Sequence, residues 1–145
     1  MRLLLDTHAF LWVLDAPQRI PAWIRTAIED AENDVFVSAA SAWEIAIKQS
    51  LGRLPAPPAD PIAALHRSGM TELPVTVEHA RRTRLLPLLH RDPFDRMLVA
   101  QAQAEGLSLV SRDPAVRQYQ VTVLWEPGVQ APRAGYRVKR KPRRR

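Results

Sequence analysis

The sequence predicts an α/β fold: a three-layer α/β/α sandwich around a central parallel sheet. Three observations carry this. Short apolar runs of strand length recur along the chain, helical stretches separate them, and no linker is long enough to divide two domains. The chain has 145 residues, 46% of them apolar, which suits one domain with a sizeable core.

Leu3-Leu4-Leu5 is an apolar run short enough for a buried strand, and it ends abruptly at Asp6. A helical stretch carrying Ala9, Phe10, Trp12, Val13 and Leu14 follows, and it breaks near Asp15-Ala16-Pro17. Pro21 fits the first turn of a second helix, in which Trp23, Ile24, Ala27 and Ile28 keep the helical period. Val35-Phe36-Val37 is the next strand, β-branched and aromatic. Ser38 leads into a long helix through Leu51, stopped by Gly52.

Leu54 to Pro61 contains four prolines and reads as a connection. A short helix spans Ile62 to Arg67 and ends near Gly69. Glu72 to Val75 is a weaker strand in which Pro74 leaves one side unpaired. Val77 to Leu86 is helical. Asp92-Pro93-Phe94-Asp95 opens a helix to Glu105, closed by Gly106; Leu107 to Val110 and Val121 to Leu124 are the last strands, with a short helix starting at Asp113-Pro114 between them. The tryptophans fall mostly at core positions of this pattern.

The net charge of +6 is unevenly placed. Residues 132–145 carry eight basic side chains and no acid, so residues 1–131 keep 13 basic and 15 acidic ones, a net of −2. The chain therefore divides into a mildly acidic domain, residues 1–127, and a basic tail, residues 128–145, whose composition favours disorder. No apolar run approaches the roughly 18 residues that cross a bilayer. The N-terminus meets Asp6 too early for a secretory signal. Absence of cysteine excludes disulfide scaffolds and thiol chemistry. A cytoplasmic protein is the expectation.

In parallel sheets, sites form outside the carboxyl ends of the strands. Asp6 follows the first strand directly, Glu44 lies on the helix after the second, Asp95 opens the helix feeding the fourth, and Asp113 comes three residues after Val110. Each has a structural explanation by itself. Asp6, Asp92 and Asp113 are well placed to cap helices, and Glu44 can pair with Lys48 at i,i+4. Four carboxylates on one rim exceed what stability needs, since like charges raise one another's proton affinity. Something positive belongs among them. Carboxylates with few imidazoles suit Mg²⁺ or Mn²⁺ better than zinc, and such ions support phosphodiester hydrolysis. No Gly-rich phosphate loop or Walker lysine appears.

The blocks Leu3-Leu4-Leu5-Asp6-Thr7-His8, Ser38-Ala39-Ala40-Ser41-Ala42-Trp43-Glu44-Ile45, His90-Arg91-Asp92-Pro93-Phe94-Asp95-Arg96 and Ser111-Arg112-Asp113 resemble, in order, the motifs of PIN-domain proteins. The resemblance is to the VapC-like subgroup and runs from about residue 1 to residue 125. It implies a PIN-like, Rossmann-like sandwich and a ribonuclease that is the toxin of a VapBC toxin–antitoxin pair. It also implies Mg²⁺ or Mn²⁺ held by Asp6, Glu44, Asp95 and Asp113, a homodimer, an RNA substrate and a VapB-like antitoxin. Thr7 and Ser111 match the small hydroxyl residues beside the acids and are expected to hydrogen-bond carboxylate or water. The resemblance prefers Asp95 to Asp92, because Asp95-Arg96-Met97-Leu98-Val99-Ala100 matches the family's acid-then-apolar helix start and Asp95 stands 18 residues before Asp113, as the family spacing suggests. Asp92 stays a competitor, one turn away on nearly the same face. His8 and His90 flank the motifs and are expected to support by hydrogen bonding rather than to ligate.

Two other classes compete. A haloacid-dehalogenase type of phosphatase also begins with an aspartate after its first strand, but needs a second aspartate two residues on, where this chain has His8. A non-catalytic PIN domain that binds RNA or regulates is the alternative within the family, disfavoured by the presence of all four acids.

Overall fold

A computed structural model describes residues 1–54 and 60–125. The tail, the boundary at residue 127 and most of the proline-rich connection lie outside the described residues.

Leu3, Leu4 and Leu5 form β1 (Arg2–Leu5), and all three are fully buried, because both faces of this strand are covered. β1 pairs in parallel with β2 (Asp34–Ser38) on one side and β4 (Ser108–Val110) on the other. β3 (Thr71–Leu73) adds to β2, and β5 (Val123–Leu124) adds to β4. The order is β3-β2-β1-β4-β5, all parallel. Pro74 ends β3 after two residues of the expected strand, and β3 pairs on one side only, as a proline without an N–H requires.

The helices divide between the two faces. Leu3, Leu5, Val35, Val37 and Val110 turn to one side and meet Phe10 of α1 (Thr7–Asp15), Ile24 of α2 (Ala22–Glu29), Ile45 of α3 (Ala39–Ser50) and Leu65 of α4 (Pro61–Arg67). Leu4 and Leu109 turn to the other side and meet Leu98, Val99 and Ala102 of α6 (Pro93–Glu105). α5 (Val77–Thr83) packs on α6 and buries His79, whose Nε2 lies 2.8 Å from Glu105. Alternate residues of β1 thus feed opposite cores, which is the three-layer arrangement the sequence predicts.

The helix ends follow their residues. Gly106 closes α6 in the left-handed conformation at φ 66°, which a side chain would strain. α5 stops at Thr83, three residues short of the sequence expectation. The carbonyls of Thr83 and Pro87 instead accept hydrogen bonds from the Arg96 guanidinium, each at 2.9 Å. Tyr119 joins this anchor, its hydroxyl 3.1 Å from Arg96 and accepting the His90 backbone N–H at 2.9 Å.

Candidate functional site

Strand order and register place the site. Leu5 pairs with Val37 and with Val110, so Asp6, Ser38 and Ser111 follow in one row at the carboxyl edge of the three central strands. The row lies where the chain order reverses, between β1 and β4, the crevice such sheets use for ligands. Asp6 donates its backbone N–H to the carbonyl of Val110, at 3.0 Å, and ties the two strand ends together.

Each acid has a local structural duty and keeps something in reserve. Asp6 caps α1, its Oδ1 accepting from Ala9 N–H at 2.7 Å, and it also accepts from the Ser111 hydroxyl. Asp113 caps the single 3₁₀ turn after it through Oδ1, at 2.9 Å from Ala115 N–H, which leaves Oδ2 free to face the site. Its own backbone N–H donates to Ser111 Oγ at 3.1 Å, so one serine holds both neighbours in place. Asp92 caps α6, with Oδ1 accepting from the N–H groups of Phe94 and Asp95 at 2.8 and 3.2 Å.

Glu44 sits one helix face inward from α3 and is only 5% exposed, matching Asp6 at 5%. Its Oε1 accepts the Thr7 hydroxyl at 2.6 Å, and its Oε2 lies 2.7 Å from Lys48 Nζ. Thr7 in turn lies 3.1 Å from the Ser41 hydroxyl. The Glu44–Lys48 pair is a partly buried contact, with the Lys48 side chain 37% and the Glu44 side chain 7% exposed.

Across the rim, His90 bridges the other two acids. Its Nε2 is 2.8 Å from Asp95 Oδ2 and 3.3 Å from Asp113 Oδ2. Ligand atoms of His90, Asp95 and Asp113 all lie within 4.8 Å of one another, close enough to hold one metal ion. Asp92 is outside this group, because its carboxylate turns back onto the helix end.

The electrostatics join the two sides. Burial pushes the Asp6 carboxyl above the usual carboxylate range, against the Ser111 and Ala9 hydrogen bonds, and Glu44 raises it further. Asp95 is pushed up to about 6, first by desolvation and then by the charges of Asp92 and Asp6, while His90 opposes the shift. Asp6 thus feels Glu44, Asp95 feels Asp6, and His90 links Asp95 to Asp113. Crowded anions need compensation, and Lys48 supplies a positive charge beside Glu44.

Some side chains differ from their sequence expectation or escape it. His90 lies at the centre of a cluster, a position no motif spacing reveals. Arg96 anchors the segment that carries His90 rather than facing the acids. Trp43 is no core residue: it is 65% exposed, because α3 turns Ala40, Ser41, Glu44 and Ile45 inward. Its ring meets Phe94 edge-on at 5.4 Å beside the acids. Trp125 is buried, and Trp12 and Trp23 pack against the core as expected. His8 is exposed and lies against Trp12, with ring centroids 5.8 Å apart.

Known proteins resemble this chain in sequence or in fold. Ribonuclease VapC16 of Mycobacterium tuberculosis is 43% identical over 61 residues, 39% of this chain and 40% of that protein, so the match spans about two fifths of the relative's length. The crystal structure of VapBC2 from Rickettsia felis, bound to a DNA fragment from their promoter, superposes with a TM-score of 0.61 at 14% identity. It covers 87% of this chain and 100% of that one. FitAcB from Neisseria gonorrhoeae superposes with a TM-score of 0.53 at 21% identity, covering 83% of this chain and 95% of that one. These two likenesses show a common fold. A sequence profile of the PIN domain matches residues 3–121, and the chain therefore belongs to the PIN-domain family.

Proposed function

We propose that this protein is a metal-dependent endoribonuclease of the VapC kind, hydrolysing phosphodiester bonds in RNA as the toxin of a toxin–antitoxin pair. The observation that carries this reading is the cluster of His90, Asp95 and Asp113, whose ligand atoms lie within 4.8 Å of one another, on a molecule whose central strands end just before Asp6 and Ser111. The similarity to ribonuclease VapC16 and the fold shared with toxin–antitoxin complexes support it.

The residues present fit a hard divalent cation. Oxygen donors dominate, two carboxyls are forced to bind protons too readily, and ligand atoms of His90, Asp95 and Asp113 stand within 4.8 Å of one another. Asp6, Glu44, Asp95 and Asp113 would hold Mg²⁺ or Mn²⁺. When bound, such an ion polarises the phosphodiester and lowers the pKa of an attacking water. Thr7 and Ser111 orient Glu44 and Asp6, the supporting role that hydroxyls take around metal ligands. His90 aligns Asp95 and Asp113 through Nε2.

Partners follow from the same reading: an RNA substrate, an antitoxin that restrains the enzyme, and a second copy of the chain. The domain ends near residue 127, and the eight basic residues beyond 131 add contacts to phosphates. No helix among the described residues is long and apolar enough to cross a membrane, and the cytoplasm is the proposed compartment.

The test is cleavage of single-stranded RNA by the purified full chain with Mn²⁺. Asp6→Ala and Asp95→Asn are each expected to lose more than about 100-fold in rate, beyond what loss of a supporting partner produces. Expression of the parent is expected to arrest growth, and the same substitutions to relieve it. Full activity in both purified variants refutes the assignment.

A further inference from the structure

A groove of about 1010 Å³ opens beside the start of α2. Arg19, Arg25 and Arg112 line it together with Ile20, Trp23 and Trp125, and none of its lining residues is acidic. This matters because residues 1–131 are net acidic, so three arginines without a carboxylate among them form a local reversal of charge. Among the described residues, none of the three pairs with a carboxylate. Arg19 instead lies over the Trp12 ring at 5.6 Å, an arrangement that holds a guanidinium without neutralising it. The indole Nε1–H of Trp23 is buried and finds no acceptor among the described residues. A buried donor without an acceptor is a costly feature in a folded chain, and a ligand oxygen would satisfy it.

The groove adjoins the acids at two places along the chain. Arg112 stands between Ser111, which holds Asp6, and Asp113, which faces His90. At the second place, Trp12 beneath Arg19 also lies against His8, two residues after Asp6. A hydrolytic centre made of carboxylates repels its polyanionic substrate, so attraction must come from beside it.

We infer that this arginine groove is the track for the phosphate backbone of single-stranded RNA, delivering the scissile phosphate to the acidic rim. The inference rests on the ribonuclease reading for its substrate, though binding and cleavage can be read apart. The groove contacts phosphates, so it supplies affinity with little sequence choice. Base selection then lies elsewhere on the surface.

The experiment uses the full chain and a fluorescein-labelled single-stranded oligouridylate, titrated by anisotropy in EDTA over a range of salt concentrations. In the triple variant Arg19→Gln, Arg25→Gln, Arg112→Gln, the log–log salt slope is expected to shrink by about 0.7 per lost contact, or about 2 in all. The corresponding triple Arg→Lys variant keeps the charges and is expected to keep most of the slope, which separates loss of contacts from loss of fold. In cleavage assays with Mn²⁺, the glutamine variant is expected to raise KM while kcat stays within about twofold.

A glutamine variant with the parent's slope overturns the groove. So does a parent whose groove arginines matter only for binding a polyglutamate peptide, which would mark an acidic protein as the occupant. If the parent cleaves RNA but its slope ignores the three arginines, only the groove falls. If RNA binds through them and is never cut, the groove stands and the nuclease reading falls.

Discussion

The two halves of the acidic rim are built differently. Asp6 and Glu44 are each 5% exposed, and both are gripped by hydroxyls: Ser111 on Asp6 and Thr7 on Glu44. Asp95, Asp113 and His90 have side chains 21%, 37% and 22% exposed, and their contacts run mainly through one imidazole nitrogen. One half is locked before any ligand arrives, and the other faces solvent with a single hydrogen-bonding hub. The difference separates positioning from access. Carboxylates held by neutral donors keep their geometry through each cycle, while those facing water are the ones a phosphate can reach.

The first way to break this comparison is to loosen the locked half. Thr7→Val removes the 2.6 Å hydrogen bond to Glu44 and replaces a hydroxyl by a methyl of similar size. The expected result is a 10–100-fold loss in Mn²⁺ affinity or cleavage, typical of a group supporting a metal ligand, with the fold intact. Calorimetric titration of Mn²⁺ measures it directly. Wild-type affinity in this variant would mean that Glu44 is held well enough by Lys48 alone, and the contrast between the halves would lose its basis.

A smaller effect tests the open half without any metal. The Asp95 carboxyl is raised from 3.8 to about 6, so in the absence of cations its charge opposes folding. The sign follows from proton counting. Below pH 4 the group is protonated in both folded and unfolded chains and contributes nothing. Between about pH 4 and 6 the folded protein binds the extra proton, so stability falls as pH rises. Above pH 6 the penalty is complete, on the order of 2–3 kcal/mol. In EDTA, Asp95→Asn is expected to flatten this fall and to melt higher than the parent at pH 7. The buried Asp6, shifted in the same direction, keeps part of the slope in the variant. A variant that melts lower at pH 7 would show that His90 more than offsets the crowding.

Much of this fold was legible because parallel strands buried on both faces read as unbroken apolar runs. Leu3-Leu4-Leu5 and Val35-Phe36-Val37 are such runs, and Asp6 and Ser38 mark where they stop. Helix ends were legible for a local reason too, since Asp92 before Pro93, and Gly106 after Glu105, act on their own backbone. Asp6 directly after β1, and Asp113 three residues after β4, stand out by this same logic of strand ends. Other features depend on contacts between segments far apart in the chain. The Thr7–Glu44 bond spans 37 residues, and the Tyr119 hydroxyl that receives the His90 N–H is 29 residues away. No periodicity encodes such pairs. Trp43 shows the converse limit, since its apolar character fits a core position but the rotation of α3 decides that it faces out.

The smallest expected effect sharpens the choice between Asp92 and Asp95. Both open α6 and stand one turn apart, so spacing cannot separate them. Their hydrogen bonds do: Asp92 Oδ1 accepts from Phe94 and Asp95 N–H, whereas Asp95 Oδ2 meets His90. Asparagine caps helices about as well as aspartate, so Asp92→Asn is expected to change stability by no more than a few tenths of a kcal/mol. Its effect on cleavage is expected to stay within about threefold, against the loss of more than about 100-fold for Asp95→Asn. Removing the Asp92 charge also relieves one of the repulsions on Asp95, which shifts the metal-free stability fall to lower pH. A collapse of cleavage in Asp92→Asn, with the helix still formed, would make the capping carboxylate a ligand and move the open half of the rim one turn earlier.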